Sequence, residues 1–219
     1  MRLPRLYAVV DADVAAAHGW TVLDLARACL DGGARCLQLR AKDRSTRWIL
    51  DTADALVALA AGHSARVIIN DRADVARLSG ASGVHVGQDD LSPDDARIVA
   101  GAEACIGLST HTRGQIDAAL EAPIDYVAVG PVHDTGTKAT GYAPVGLDLV
   151  RYAAGRAALR AEGVLPVVAI GGVTLECAPE IIAAGATSVA VISDLLVAGD
   201  PASRVRAFVE RLKGAGAAL

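Results

Sequence analysis

The chain has 219 residues, a formal net charge of −4 at pH 7 and a hydrophobic fraction of 53%, but only 3% of its residues are aromatic. Nucleic-acid-binding proteins usually carry a basic stripe or stacking rings, and neither is visible, so we expect no nucleic-acid partner. We also expect no membrane partner, because no apolar run reaches the roughly 18 residues of a membrane span.

A cytoplasmic location is predicted from the N-terminus and the cysteines. Met1–Arg5 leads directly into a strand-like segment and lacks the long apolar stretch and cleavage site of a signal peptide. The cysteines show no CxxC or metal-binding spacing, and they are Cys29, Cys36, Cys105 and Cys177. We interpret them as packing residues with free thiols in a reducing compartment.

Short runs rich in Val and Ile alternate along the chain with longer, Ala-rich amphipathic stretches. The predicted strands, in chain order, are Leu6–Asp11, Cys36–Arg40, Arg66–Asn70, Gly83–Gly87, Cys105–Ser109, Tyr126–Gly130, Leu165–Gly171 and Ser188–Ser193. The predicted helices are Thr21–Leu30, Arg47–Ala61, Pro93–Ala100, Arg113–Glu121, Leu147–Ala161, Leu175–Ala184 and Pro201–Lys213.

This alternation predicts a protein of the α/β class, a single (β/α)8 TIM barrel domain over residues 1–219. Right-handed crossovers between successive parallel strands allow the first and last strands to meet. The alternative is a doubly wound open sheet, which normally has a glycine-rich phosphate turn after its first strand. Here Asp11–Ala15 follows the first strand and contains no glycine, which favours the barrel.

Polar residues follow most of the predicted strands. The carboxyl ends of barrel strands converge on one rim, where barrel enzymes have their active sites, so we expect these residues to lie together. They include cations, carboxylates, amides, hydroxyls and paired glycines, and the combination indicates a site for phosphates and a divalent metal.

Two pairs of rim residues predict the charged part of this site. Arg40 and Lys42 have the alternate-residue spacing that directs both side chains into the barrel mouth, although a solvated pair at a strand end is equally consistent. Asp71 and Asp90 end neighbouring strands and supply the carboxylates that Mg²⁺ prefers. Each taken singly is better explained as a helix N-cap. Asp89 is a weaker candidate, because one of two adjacent residues is expected to face a metal.

A second phosphate site is predicted from the last two strands and a long loop. Gly171-Gly172 and Ile192-Ser193 fit the recurrent barrel phosphate site, although the paired glycines also suit a tight turn. The loop Pro131–Val145 contains Thr135-Gly136-Thr137-Lys138, which brings hydroxyls and a cation to an anion, and a loop of that length is usually functional.

The histidines do not predict a catalytic base. We expect His85, within the fourth strand, to be a packed and hydrogen-bonded residue. His111 and His133 lie at the predicted rim, and their roles stay open. Neither a Ser-His-Asp triad nor a histidine metal site can be assembled from the sequence.

The strand-end segments, in this order, resemble the thiamine-phosphate synthase (thiamine-phosphate pyrophosphorylase) family. The matching motifs are QLRAK at Gln38–Lys42, IINDR at Ile68–Arg72, GVHVGQDDL at Gly83–Leu91, IGLSTHT at Ile106–Thr112, YVAVGPV and TGTK within Tyr126–Lys138, VVAIGGV at Val167–Val173 and VAVIS at Val189–Ser193. Together they cover nearly the whole chain.

The resemblance implies a transferase of thiamine biosynthesis. A hydroxymethylpyrimidine diphosphate loses pyrophosphate while the nitrogen of a (carboxy)thiazole phosphate attacks, and thiamine phosphate forms. This chemistry requires the charge of the leaving group to be neutralised more than it requires a base. The implied cofactor is Mg²⁺, the implied partners are small phosphorylated molecules, and a homo-oligomer is compatible with the sequence.

The resemblance also implies roles for individual residues. Those implied to bind the pyrimidine diphosphate are Gln38, Leu39, Arg40, Ala41, Lys42, Asn70, Ser109 and Lys138, and Arg40, Lys42, Ser109 and Lys138 are implied to be catalytic. Asp71 and Asp90 are implied to hold Mg²⁺. Those implied to bind the thiazole phosphate are Thr135, Gly136, Thr137, Gly172, Ile192 and Ser193.

Three positions depart from the family pattern. Cys177 stands where Asn is frequent, Ser188 where Gly is frequent, and Ala41 where Glu is frequent, and the loop Ala139–Val145 is also atypical. The alternatives are a thiazole tautomerase of the same superfamily and a non-catalytic sensor of a thiamine precursor. The tautomerase lacks the full diphosphate-and-metal set that is present here, and the sequence shows no appended domain or partner-binding segment of the kind that would favour a sensor.

Overall fold

The structure is a computed structural model that describes residues 3–136, 141–161, 163–197 and 199–214. Its strands form a closed parallel barrel in the chain order β1 to β8, and the first strand pairs with the last. The predicted TIM barrel is therefore confirmed. None of the helices in the described ranges is long and apolar enough to cross a membrane.

The strands are β1 Leu6–Asp11, β2 Cys36–Arg40, β3 Arg66–Asn70, β4 Gly83–Val86, β5 Cys105–Thr110, β6 Tyr126–Val129, β7 Val167–Ile170 and β8 Ser188–Val191. The helices are α1 Ala12–Ala17, α2 Val22–Asp31, α3 Thr46–Ala61, α4 Ala73–Ser79, α5 Pro93–Ala100, α6 Arg113–Leu120, α7 Gly146–Ala158, α8 Ala178–Ala183 and α9 Pro201–Leu212. A 3-10 turn, Ser193–Leu195, follows β8.

The element boundaries differ from the sequence prediction in a few places. Helices α1 and α4 and the 3-10 turn were not predicted. The segment after β1 is not an open turn, because the Asp11 carboxylate accepts hydrogen bonds from the N–H groups of Asp13 and Val14 and caps α1. Strand β8 ends at Val191 rather than Ser193, because Ile192 has a non-extended backbone with ψ of −87°.

Side chains alternate along each strand between two hydrophobic cores. The outer core lies between the barrel and the helices, and the inner core lies inside the barrel. Outward residues such as Leu37 and Leu39 pack with the helices, and inward residues fill the barrel. A side chain at Gly107 would place its Cβ 2.0 Å from the Tyr126 ring, so this glycine makes room for Tyr126 inside the barrel.

The four cysteines are free thiols, as expected. Cys36 and Cys105 lie inside the barrel and Cys29 lies in the outer core. Burial raises the pKa of Cys29 and of Cys105 to about 12, so these thiols stay protonated and unreactive.

Candidate functional site

The inward positions near the carboxyl ends of the strands line a cavity at the barrel mouth. Alternation along β2 directs Gln38 and Arg40 into this cavity, and Asn70, Ser109 and Thr135 also line it. The neighbouring side chains of Leu39 and Ala41 pack in the outer core instead. Any contact that Leu39 or Ala41 makes with a bound molecule would therefore come from the backbone.

An acidic cleft adjoins this cavity above β3 and β4. It is lined by Lys42, Asn70, Asp71, His85, Gly87, Gln88, Asp89, Asp90, Ser109, His111 and Tyr142. The Lys42 Nζ lies 3.3 Å from the Asp71 carboxylate. Burial raises the pKa of Asp71, the facing Asp90 carboxylate raises this pKa further, and the Lys42 ammonium lowers it. The structure thus brings together both predicted metal ligands and one predicted diphosphate-binding cation.

The helix-cap explanation for these two aspartates is wrong. The N-cap of α4 is Arg72, and the N-cap of α5 is Ser92. Asp90 instead accepts a hydrogen bond from the Gly87 N–H at 2.8 Å. Asp71 has a left-handed backbone with φ of 64°, a conformation that is uncommon outside glycine and concentrates at functional sites.

The acidic cleft fits a divalent cation. Two carboxylates face one another there, and burial together with the neighbouring Asp90 carboxylate raises the pKa of Asp71. Over the described residues, no group of three or more His, Cys, Asp or Glu side chains could hold a metal. A cation at this position would complete its shell with water and ligand oxygens, a coordination that is typical of Mg²⁺.

Arg40 is held by a carboxylate that sequence reasoning missed. Its Nη1 donates to Asp11 Oδ2, and Asp11 is only 2% exposed. The Arg40 Nε is buried and has no hydrogen-bond partner in the ranges that the structure describes. An anion in the cavity would supply an acceptor for the guanidinium group. The signal for Asp11 was available, because it ends a strand just as the predicted rim residues do.

A glycine-lined cleft lies beside β7 and β8. It is lined by Asp134, Thr135, Gly136, Ile170, Gly171, Gly172, Val173, Thr174, Ala190, Ile192, Ser193, Asp194 and Val197. Gly171 and Gly172 have φ of 97° and 63°, and a Cβ on Gly172 would lie 2.6 Å from the Asp134 carbonyl oxygen. The tight-turn explanation is therefore correct, and it is compatible with a phosphate site. The predicted residues Thr137 and Lys138 lie outside the described residues.

An ion pair that was not predicted anchors the Ser193–Leu195 turn. Arg204 on α9 donates to the Asp194 carboxylate through Nη2 at 2.8 Å and through Nε at 3.0 Å. The same carboxylate accepts from the Leu175 N–H at 3.1 Å. Asp194 thus ties the turn after β8 to the segment after β7, and it holds the two sides of the glycine-lined cleft in place.

The variant Arg204→Met is expected to lower the free energy of unfolding by about 3 kcal/mol, because it leaves a largely buried carboxylate without its cation. Urea unfolding followed by circular dichroism measures this change. The matched control is Arg206→Met on the exposed face of the same helix, for which we expect a change within about 0.5 kcal/mol. Equal stabilities of the two variants would contradict the anchoring role.

The rim histidines have distinct environments. His85 is buried and hydrogen-bonded through both ring nitrogens, which confirms its prediction as a packed residue. His111 donates from Nδ1 to the Gly130 carbonyl oxygen, and its ring stacks on Tyr142 with centroids 4.0 Å apart. The His133 Nε2 is buried and has no hydrogen-bond partner among the described residues.

The closed barrel and the clefts at its carboxyl rim define the class of (β/α)8 barrels, whose enzymes have their active sites at that rim. The sequence profile described as thiamine monophosphate synthase matches residues 6–195. The thiamine-phosphate synthase of Koribacter versatilis is 44% identical over 97% of both chains. The Thermus thermophilus thiamine-phosphate synthase is 41% identical over 97% of this chain and 98% of its own.

A solved structure agrees with these relatives. The thiamine phosphate pyrophosphorylase from Pyrococcus furiosus superposes with a TM-score of 0.83 at 28% identity, over 96% of this chain and 97% of that chain. The chain belongs to the thiamine monophosphate synthase family. The predictions of this family and of a transferase of thiamine biosynthesis are confirmed at the level of the family.

Proposed function

We propose that this enzyme couples 4-amino-2-methyl-5-(diphosphomethyl)pyrimidine to a (carboxy)thiazole phosphate and releases thiamine phosphate and pyrophosphate. With the carboxylated form, the bond between the thiazole ring and its carboxylate also breaks, and CO2 leaves as a third product. The observation that supports this most strongly is the presence of separate clefts on opposite sides of one barrel mouth. The acidic cleft with Lys42 suits a metal-bound diphosphate, and the glycine-lined cleft suits a monophosphate. Two phosphorylated substrates need two such clefts.

The first half of the proposed reaction breaks the bond between the methylene carbon and the diphosphate oxygen, and the electron pair leaves with pyrophosphate. Arg40 and Lys42 would donate to the diphosphate oxygens, Arg40 as a fork and Lys42 as a point charge. Asp71 and Asp90 would hold Mg²⁺. When bound, Mg²⁺ would neutralise the charge that develops on the leaving group.

In the second half, the lone pair of the thiazole nitrogen forms the new bond to the methylene carbon. This nitrogen carries no proton, so the coupling needs no general base, in agreement with the packed state of His85. The glycine-lined cleft would bind the thiazole phosphate and fix the direction of attack. The residues of this cleft that would do so are Thr135, Gly136, Gly172, Ile192 and Ser193. A cytoplasmic location and assembly into a homo-oligomer remain predictions.

The direct test is to incubate the purified enzyme with both substrates and Mg²⁺ and to measure pyrophosphate and thiamine phosphate. We expect equimolar formation of the two products, and we expect no turnover when either substrate is omitted or when the metal is chelated. Formation of neither product would contradict the proposal. Isomerisation of the thiazole phosphate alone, without coupling, would instead support the tautomerase alternative.

A further inference from the structure

A chain of buried polar side chains crosses the inside of the barrel. Gln38 Nε2 donates to the Tyr7 hydroxyl at 2.9 Å, and the Tyr7 and Tyr126 hydroxyl oxygens are 3.0 Å apart. The Tyr126 hydroxyl lies 2.9 Å from His85 Nδ1, and His85 Nε2 lies 2.8 Å from the Ser109 Oγ. These residues come from five different strands, so the barrel fold itself assembles the chain.

The two tyrosines in the middle of this hydrogen-bond chain are buried, closely packed and protonated. Tyr7 is 1% exposed and Tyr126 is 0% exposed, and burial raises the pKa of both hydroxyls well above their usual range. Each hydroxyl therefore has one proton and donates one hydrogen bond. The Tyr126 ring lies against the backbone of Gly107, where a Cβ would approach its Cζ to 2.0 Å, and it stacks on His85 at a centroid distance of 5.6 Å.

Because each tyrosine hydroxyl has one proton, the hydrogen bonds from Gln38 to Ser109 all run in one direction, from donor to acceptor. Because Gln38 donates to Tyr7, the Tyr7 proton is directed to Tyr126. The Tyr126 proton is then directed to His85 Nδ1. A neutral imidazole that accepts at Nδ1 has its proton on Nε2, so His85 donates to the Ser109 oxygen.

Gln38 and Ser109, the two ends of this hydrogen-bond chain, face the proposed substrate. Gln38 lines the barrel cavity, and with its Nε2 bonded to Tyr7 it presents its amide oxygen as an acceptor. Ser109 lines both the cavity and the acidic cleft. Since its oxygen accepts from His85, its own proton is directed to a bound molecule.

We propose that Tyr7, Tyr126 and His85 are positioning residues that couple recognition of the amino group of the pyrimidine at Gln38 to donation by Ser109 to the leaving diphosphate. This inference rests on the proposed function. A pyrimidine with an oxo group in place of the amino group would set a second acceptor against the Gln38 amide oxygen, so a donor is required at the position of that oxygen. To supply one, the amide must rotate and every hydrogen bond in the chain must reverse, which leaves Ser109 as an acceptor that opposes the charge on pyrophosphate.

The kinetic test compares the amino substrate with its 4-oxo analogue, each with the thiazole phosphate and Mg²⁺. In the wild-type enzyme we expect the oxo analogue to lose more in kcat than in KM. In Tyr126→Phe the link between Gln38 and His85 is broken. The ratio of kcat with the amino substrate to kcat with the oxo analogue is therefore expected to fall about tenfold. Tyr7→Phe is expected to give the same change.

The matched control is Tyr152→Phe. This tyrosine hydroxyl donates to Asp117 on the outside of the barrel, and its removal is expected to leave both rates and their ratio unchanged. A Tyr126→Phe enzyme that loses activity equally with both pyrimidines has lost only a structural contact, and that result would overturn the coupling.

A second measurement needs neither turnover nor a variant. Nitrogen-15 NMR of the wild-type protein, with imidazole-labelled histidine, is expected to show His85 as the neutral Nε2–H tautomer; the Nδ1–H tautomer would overturn the inference. Absence of thiamine phosphate formation would remove both the proposed function and the coupling. The tautomer would still show whether the hydrogen bonds run in the inferred direction, so the two failures are distinguishable.

Discussion

Asp71→Asn and Asp90→Asn are each expected to lower the Mg²⁺-dependent kcat/KM at least about 100-fold. These carboxylates would hold the Mg²⁺ that neutralises the charge on the departing diphosphate, and loss of one group that stabilises developing charge costs about that much. Higher Mg²⁺ concentrations are expected to restore part of the activity, because one carboxylate remains in each variant. Steady-state kinetics over a magnesium titration measures both effects.

Asp71→Asn is expected to stabilise the metal-free protein, although it lowers the activity. The pKa of Asp71 is raised in the folded protein by burial and by Asp90, so the ionised carboxylate is less favourable in the folded state than in the unfolded state. Its destabilising effect is present at pH values above the folded pKa and disappears as the group protonates on acidification. In the absence of metal at neutral pH, Asp71→Asn is therefore expected to raise the Tm.

The control is Asp94→Asn, an exposed carboxylate in the first turn of α5 outside the acidic cleft. We expect this variant to retain the wild-type kcat/KM and magnesium dependence. Unchanged kinetics in Asp71→Asn or in Asp90→Asn would contradict the metal assignment, because each carboxylate is proposed to be a direct ligand.

The fold was predictable because the strand signal is strong. For β1, β2 and β3 the predicted and observed boundaries coincide, since each apolar run stops at a polar residue. Helices α1 and α4 were missed because they have six and seven residues, and fewer than two full turns of helix give little periodicity. Strand β7 was predicted too long because Leu165 extends the apolar pattern ahead of Val167, and because Gly171 after Ile170 was counted with the strand although it belongs to the turn.

The rim of the site was also predictable, because parallel strands in a barrel all end at the same face. Arg40, Lys42, Asp71 and Asp90 were placed at the rim in this way. The roles of Gln38 and Asn70 were implied by the family resemblance. Residues that act across the barrel were not, since the contact between Tyr7 and Tyr126 joins positions 119 residues apart. No local pattern shows which side chains meet at the barrel axis.

Asp11→Asn is expected to lower kcat/KM about 100-fold, an effect typical of a misplaced reacting or binding group. The substitution preserves the helix cap, since asparagine caps as well as aspartate and the N–H groups of Asp13 and Val14 keep their acceptor. It removes the charge that fixes the Arg40 guanidinium. We therefore expect a higher KM for the pyrimidine diphosphate and about 3 kcal/mol less stability from the broken pair.

A double-mutant cycle separates positioning from a general loss of stability. In an Arg40→Met background, Asp11→Asn has no guanidinium left to orient, so it is expected to cause little further loss of kcat/KM. The control Asp24→Asn alters a surface carboxylate that pairs with Arg27, and it is expected to retain wild-type kinetics. Fully additive losses in the cycle would show that Asp11 acts independently of Arg40. Non-additive losses would show that Asp11 acts on the diphosphate indirectly, by holding the Arg40 guanidinium in position.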